Sequence, residues 1–162
     1  MKRIVSVLVL ALVVAVGIGC NAQRRQPRLT SATITPARLR PGDSAIITVK
    51  VERDRFDIVE TVSAVVQEDR RMRFDLKDDG NAPDAEARDG IWSLLVDVPF
   101  MAPPGNFTLE FTGYDAKGGL ISVVGPQGGG TPLSTTCVFS VEHSLTDAPE
   151  EGAAETQPTE NN

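Results

Sequence analysis

Asp78-Asp79-Gly80-Asn81-Ala82-Pro83-Asp84-Ala85-Glu86-Ala87-Arg88-Asp89-Gly90-Ile91-Trp92 is the stretch on which the reading of this sequence turns. It is acidic and full of turn formers. Asp and Asn bond their own backbone and accept left-handed geometry, and Gly supplies positive φ. Both flanks alternate. Upstream, Met72, Phe74 and Leu76 are interleaved with Arg71, Arg73 and Asp75. Downstream, Trp92, Leu94, Val96 and Val98 recur at every second position until Pro99. A period of two marks a half-buried strand. The stretch therefore reads as the turn of a hairpin between two strands.

The same grammar extends in both directions from there. Short runs rich in Val, Ile, Thr and Phe are separated by Gly, Pro and Asp from residue 29 to residue 142. Strands are expected at 29–35, 44–53, 58–68, 71–76, 91–98, 106–115, 120–124 and 134–142, with no convincing helix. Ile47, Val49 and Val51 should face the core, as should Ile58, Val62, Ala64 and Val66. Phe107, Leu109 and Phe111, and then Cys137, Phe139 and Val141, follow the same rule. Residues 125–131 read as a flexible Gly-rich loop. Seven to eight strands at this spacing predict an all-β chain, an immunoglobulin-like antiparallel sandwich spanning 29–142. Trp92 is expected to be its large core aromatic. The Cys-Trp-Cys spacing of antibody domains is absent.

The two ends read differently. Lys2 and Arg3 precede an almost wholly apolar run from Ile4 to Ile18, then Gly19 and Cys20. A basic start, a short apolar run and a small residue at the cut make a secretory signal. The run is about fifteen residues, short of the ~20 that span a bilayer. Residues 1–19 are thus expected to be a signal peptide and 20–28 a polar tether. Residues 143–162 carry five acids and no aromatic side chain, and are expected to form a disordered acidic tail.

Ile18-Gly19-Cys20 resembles the lipobox of bacterial lipoproteins, although Gly17 stands where that family usually has Leu. The resemblance implies that the Cys20 thiol takes a diacylglycerol and that the chain is acylated, for example with palmitate. It also implies a membrane-anchored, extracytoplasmic place in the bacterial cell envelope, in the periplasm or at the cell surface. The competing readings are an ordinary secreted chain and a Cys20–Cys137 disulfide. Leu39-Arg40-Pro41-Gly42-Asp43 and Pro104-Gly105-Asn106-Phe107-Thr108-Leu109-Glu110-Phe111 look like parts of bacterial surface immunoglobulin-like or fibronectin-type modules. The Asp-Asp-Gly…Asp-Gly-aromatic pattern of 78–92 is similar to a hairpin found in some of them. That likeness implies a spacer, adhesion or binding unit.

Composition narrows the chemistry. The 162 residues are 41% hydrophobic and 23% charged, ordinary values for a chain with one packed domain. The formal charge is −6, and a cut after Gly19 removes Lys2 and Arg3, leaving 14 basic against 22 acidic residues, or −8. Phosphate backbones need a basic face, so no nucleic-acid partner is expected. The sole His, His143, begins the polar tail and forms no triad with Ser144 and Asp147. Cys137 alternates with core positions and reads as an inert thiol. Gly128-Gly129-Gly130 lacks the context of a phosphate loop. Arg70, Arg71 and Arg73 read as the solvent side of a strand. No enzymatic activity is expected.

One set of ligand-bearing residues remains. Asp78, Asp79, Asn81, Asp84 and Asp89 offer hard oxygens of the kind Ca²⁺ takes. Their spacing does not match the EF-hand, and turn chemistry, with Arg88 and Arg71 or Arg73 neutralising the carboxylates, explains the same residues without metal. The expected function is a non-catalytic binding or assembly module held to the membrane by lipid, meeting an envelope protein or a polysaccharide. The alternative is a Ca²⁺-dependent carbohydrate- or protein-binding module that uses 78–89.

Overall fold

The computed structural model describes residues 26–52, 57–125 and 127–143. The leader, Cys20, most of the tether and the tail beyond His143 lie outside them. Among the described residues every regular element is a strand: β1 (Arg28–Thr35), β2 (Arg38–Leu39), β3 (Ser44–Glu52), β4 (Thr61–Val66), β5 (Asp69–Leu76), β6 (Ile91–Asp97), β7 (Gly105–Tyr114), β8 (Ser122–Val124), β9 (Gly130–Pro132) and β10 (Ser134–Val141). No helix there is long and apolar enough to cross a membrane. All eight expected strands are present. β2 and β9 are additional, because two or three residues are too few to display a period of two. β9 also takes the end of the expected Gly-rich loop into a small hairpin with β8.

The strands form sheets ordered β1-β3-β6, β2-β10-β7-β4-β5 and β8-β9. Pairing is antiparallel except between β10 and β2, which run parallel. This departs from the purely antiparallel expectation and has a local cause. The chain leaves β1 at Thr35, passes Pro36, and joins the edge of the other sheet at Arg38. A second departure concerns 78–90. β5 and β6 belong to different sheets, so the acidic stretch is a crossover and not a hairpin turn. A single bridge, Lys77 with Ser93, ties the two strands where the crossover begins and ends.

The inner faces of both large sheets contribute to one core. Leu39, Ile47, Val49, Val62, Leu109 and Phe111 are among its most deeply buried side chains. Leu29 and Ile34 both point inward although five positions apart. A bulge between Thr30 and Thr33, with Ser31 at φ 51°, restores the register that simple alternation would lose. Two expected core positions differ. Ile58 is exposed, because Asp57 turns the chain at φ 48° and pairing with β7 starts only at Glu60. Trp92 is half-buried: it faces inward, but from an edge strand, and Phe111 on the central β7 occupies the middle of the core.

The packed sheets have two distinct ends. Arg28, the 78–90 crossover, the 115–119 turn and the β8-β9 hairpin lie at the end where the described chain begins. There Gln26 Oε1 accepts the Val124 N–H. The Gly42 turn, the Glu68–Asp69 turn, the Pro-rich connection 99–104 and His143 lie at the opposite end. Gly42 N–H bonds the Val98 carbonyl there, and Val141 pairs with Gly105.

Candidate functional site

The crossover is organised by its own carboxylates. Asp84, only 6% exposed, accepts the Gly80 N–H at 2.6 Å through Oδ2. Asp78 Oδ2 accepts the Gly90 N–H at 3.1 Å, twelve residues away, and so closes the loop at its neck. Asp89 Oδ1 accepts the Ile91 N–H at 2.7 Å. Gly90, at φ 86°, lies against β3: its N–H goes to Asp78, while its carbonyl accepts the Val51 N–H. A Cβ on Gly90 would lie 2.9 Å from the Val51 carbonyl oxygen, so the position excludes other residues on two grounds.

This folding brings Asp78, Asp84 and Asp89 together, with one carboxylate oxygen of each within 4.8 Å of the others. Ca²⁺–oxygen distances of about 2.3–2.6 Å put opposed ligands roughly 5 Å apart, so the span matches a Ca²⁺ shell. Asp79 and Asn81 do not join them. Asp79 Oδ1 accepts the Asn81 N–H, and its Oδ2 lies 4.0 Å from Lys77 Nζ. The Asn81 N–H holds the Asp79 carboxyl below its ordinary range. Asn81 contributes its carbonyl, which accepts the Asp84 N–H. Of the arginines expected to neutralise this stretch, Arg88, Arg71 and Arg73, the last two pair elsewhere: Arg71 with Asp69 at 2.9 Å, and Arg73 with Asp75 at 3.3 Å. Arg73 also lies 5.3 Å over the Tyr114 ring.

The other singled-out groups take structural positions. His143 Nε2 is 2.9 Å from the Ala102 carbonyl oxygen and pins the Pro-rich connection. Cys137 is a free, half-buried thiol whose burial raises its pKa. Gly128 and Gly129 form the β8-β9 turn, where the Gly125 N–H bonds the Gly129 carbonyl at 2.7 Å. Cys20 lies outside the described residues.

One feature was not legible in the sequence. A cavity of about 510 Å³ lies between the two large sheets at the end that carries the Gly42 turn and the Pro-rich connection. Its lining comes from eight of the ten strands and the Pro-rich connection, so no contiguous motif announces it. No protein-family model matches this chain, and no curated protein matches it either.

Proposed function

We propose that this chain is a bacterial envelope lipoprotein in which one immunoglobulin-like sandwich acts as a non-catalytic binding or assembly module. The observation that carries the reading is the strand order. A three-stranded sheet β1-β3-β6 faces a larger sheet built on β10-β7-β4-β5, and the chain crosses between the two after β1, β2, β3, β5 and β6. Repeated crossing between two sheets around one core is what an immunoglobulin-like or fibronectin-type sandwich requires. Residues 1–20 supply the anchor half of the reading: a basic start, an apolar run and Gly19-Cys20. The membrane is then a partner through lipid, and an envelope protein or polysaccharide is the partner of the domain.

Mass spectrometry of the chain isolated from a bacterial membrane fraction tests the anchor. The expected N-terminal residue is Cys20 carrying a diacylglycerol and an acyl chain. An unmodified Cys20 on a membrane-free protein overturns it.

A second reading has its own observation. The oxygen cluster of Asp78, Asp84 and Asp89 supports a Ca²⁺-dependent module, with the ion stiffening the crossover. Binding to the folded state alone raises stability with ion concentration. Thermal melts in excess Ca²⁺ and in EDTA should then differ by several degrees. A difference below about one degree leaves the carboxylates as loop architecture.

A further inference from the structure

We propose that the cavity between the sheets is a ligand site for a slender apolar molecule ending in a cationic or strongly donating head, such as an alkylammonium. The proposal rests on the reading of the domain as a binding module and names a ligand class for it.

Three observations carry it. First, the volume of about 510 Å³ falls inside the range of roughly 300–1,000 Å³ typical of small-molecule sites. Second, the interior is apolar and partly open. Met72, Phe74, Val96, Phe107 and Phe139 line it and are each only partly buried, and the Phe107 and Phe139 rings stack at 5.4 Å. The cause is local. Pro99, Pro103 and Pro104 prevent the 99–104 connection from pairing as a strand across the opening. Phe100 is 83% exposed and lies over Gly42 instead of filling the space. Third, the charged residues that line the cavity are all acidic: Glu68, Asp69 and Asp97. Glu68 and Asp97 are exposed and Asp69 is half-buried, and all three lie at the strand ends where the cavity opens.

Those three carboxylates are not equally compensated. Asp69 is offset by Arg71. Glu68 accepts the Thr108 N–H at 2.9–3.0 Å through both oxygens, and Asp97 accepts the Ser44 hydroxyl at 2.6 Å. Neutral donors satisfy hydrogen-bonding capacity without cancelling charge. The mouth therefore keeps a negative field that favours an ammonium head and disfavours a carboxylate head.

Methionine-methyl NMR tests this on the full chain in lipid nanodiscs, with empty nanodiscs as the partition reference. Met72 lines the interior and Met101 the mouth, so both report directly. The probes are hexylammonium, hexanol and hexanoate. The expected result is a saturable shift of both methyl signals, tightest for hexylammonium and weakest for hexanoate. In the double variant Glu68→Gln, Asp97→Asn, hexylammonium should bind about 2–5-fold more weakly while hexanol is unchanged. No shift at Met72 with any probe overturns the site, and so does a shift at Met101 alone, which marks surface contact. Equal affinity for hexanoate and hexylammonium overturns the ligand class. An unmodified Cys20 in the mass spectrum bears on the anchor and leaves these outcomes standing, so the two failures are distinguishable.

Discussion

Gly90 and Gly118 both adopt positive φ, 86° and 75°, yet their surroundings differ. A Cβ on Gly118 meets nothing within 4 Å, whereas one on Gly90 meets the Val51 carbonyl oxygen at 2.9 Å. Gly118→Ala should therefore cost only the left-handed penalty, about 1–2 kcal/mol. Gly90→Ala adds a clash with backbone that cannot swing away, and should cost about 1 kcal/mol more at least. Urea unfolding of the two variants checks the order. Glu68 gives a pH-dependent counterpart. The Thr108 N–H holds its carboxyl below the ordinary value near 4.5. A depressed folded pKa means the contribution is complete above about pH 4.5 and is lost as pH falls through the folded value. The stability gap between the wild type and Glu68→Gln should be constant near neutral pH and shrink as the pH falls below about 4.5. A gap that widens on acidification contradicts the assignment. The turn glycines were legible because only their backbone freedom explains them. The place of Trp92 was not, because ring size says nothing about whether a strand is central or at an edge.

At the scale of elements, alternation located eight strands within a few residues, since each has one face on a shared core. It did not show which strands pair. The 78–90 stretch illustrates why. Turn chemistry is the same in a hairpin and in a crossover, and only the sheet membership of β5 and β6 separates them. The crossover depends instead on a buried acceptor. Asp84 is nearly inaccessible and receives the Gly80 N–H at 2.6 Å. Asp84→Ala leaves that donor without its acceptor and should cost about 1–3 kcal/mol. Asp84→Asn keeps an accepting oxygen and should lose less. The same pair informs the metal reading. Any Ca²⁺-dependent gain in melting temperature should be present in the wild type and much reduced in Asp84→Asn, which removes charge but preserves the turn. A Ca²⁺ response of equal size in both proteins removes the cluster from consideration.

For the whole molecule, the two ends impose a polarity that neither sequence pattern nor any single element displays. The described chain begins beside the acidic crossover and the β8-β9 hairpin. The ten-residue β7 then runs from Gly105, at the far end, to Tyr114, at the near end. At about 3.4 Å per residue that is roughly 30 Å. A lipid on Cys20 would hold the near end against the bilayer. The cavity mouth, Phe100 and Met101 would then face away from it, Phe100 and Met101 being 83% and 92% exposed. Such exposed apolar side chains contribute little to the core, so replacing them should leave stability within about 0.5 kcal/mol. That tolerance makes an orientation measurement practical. Met101→Cys and Lys117→Cys, each in a Cys137→Ser background, place one dye at the far end and one at the 115–119 turn. With an acceptor dye in the lipid, energy transfer should be clearly stronger from position 117 than from position 101. Equal transfer means the domain lies on its side, and reversed transfer means that the cavity opens toward the membrane and not into the space beyond it.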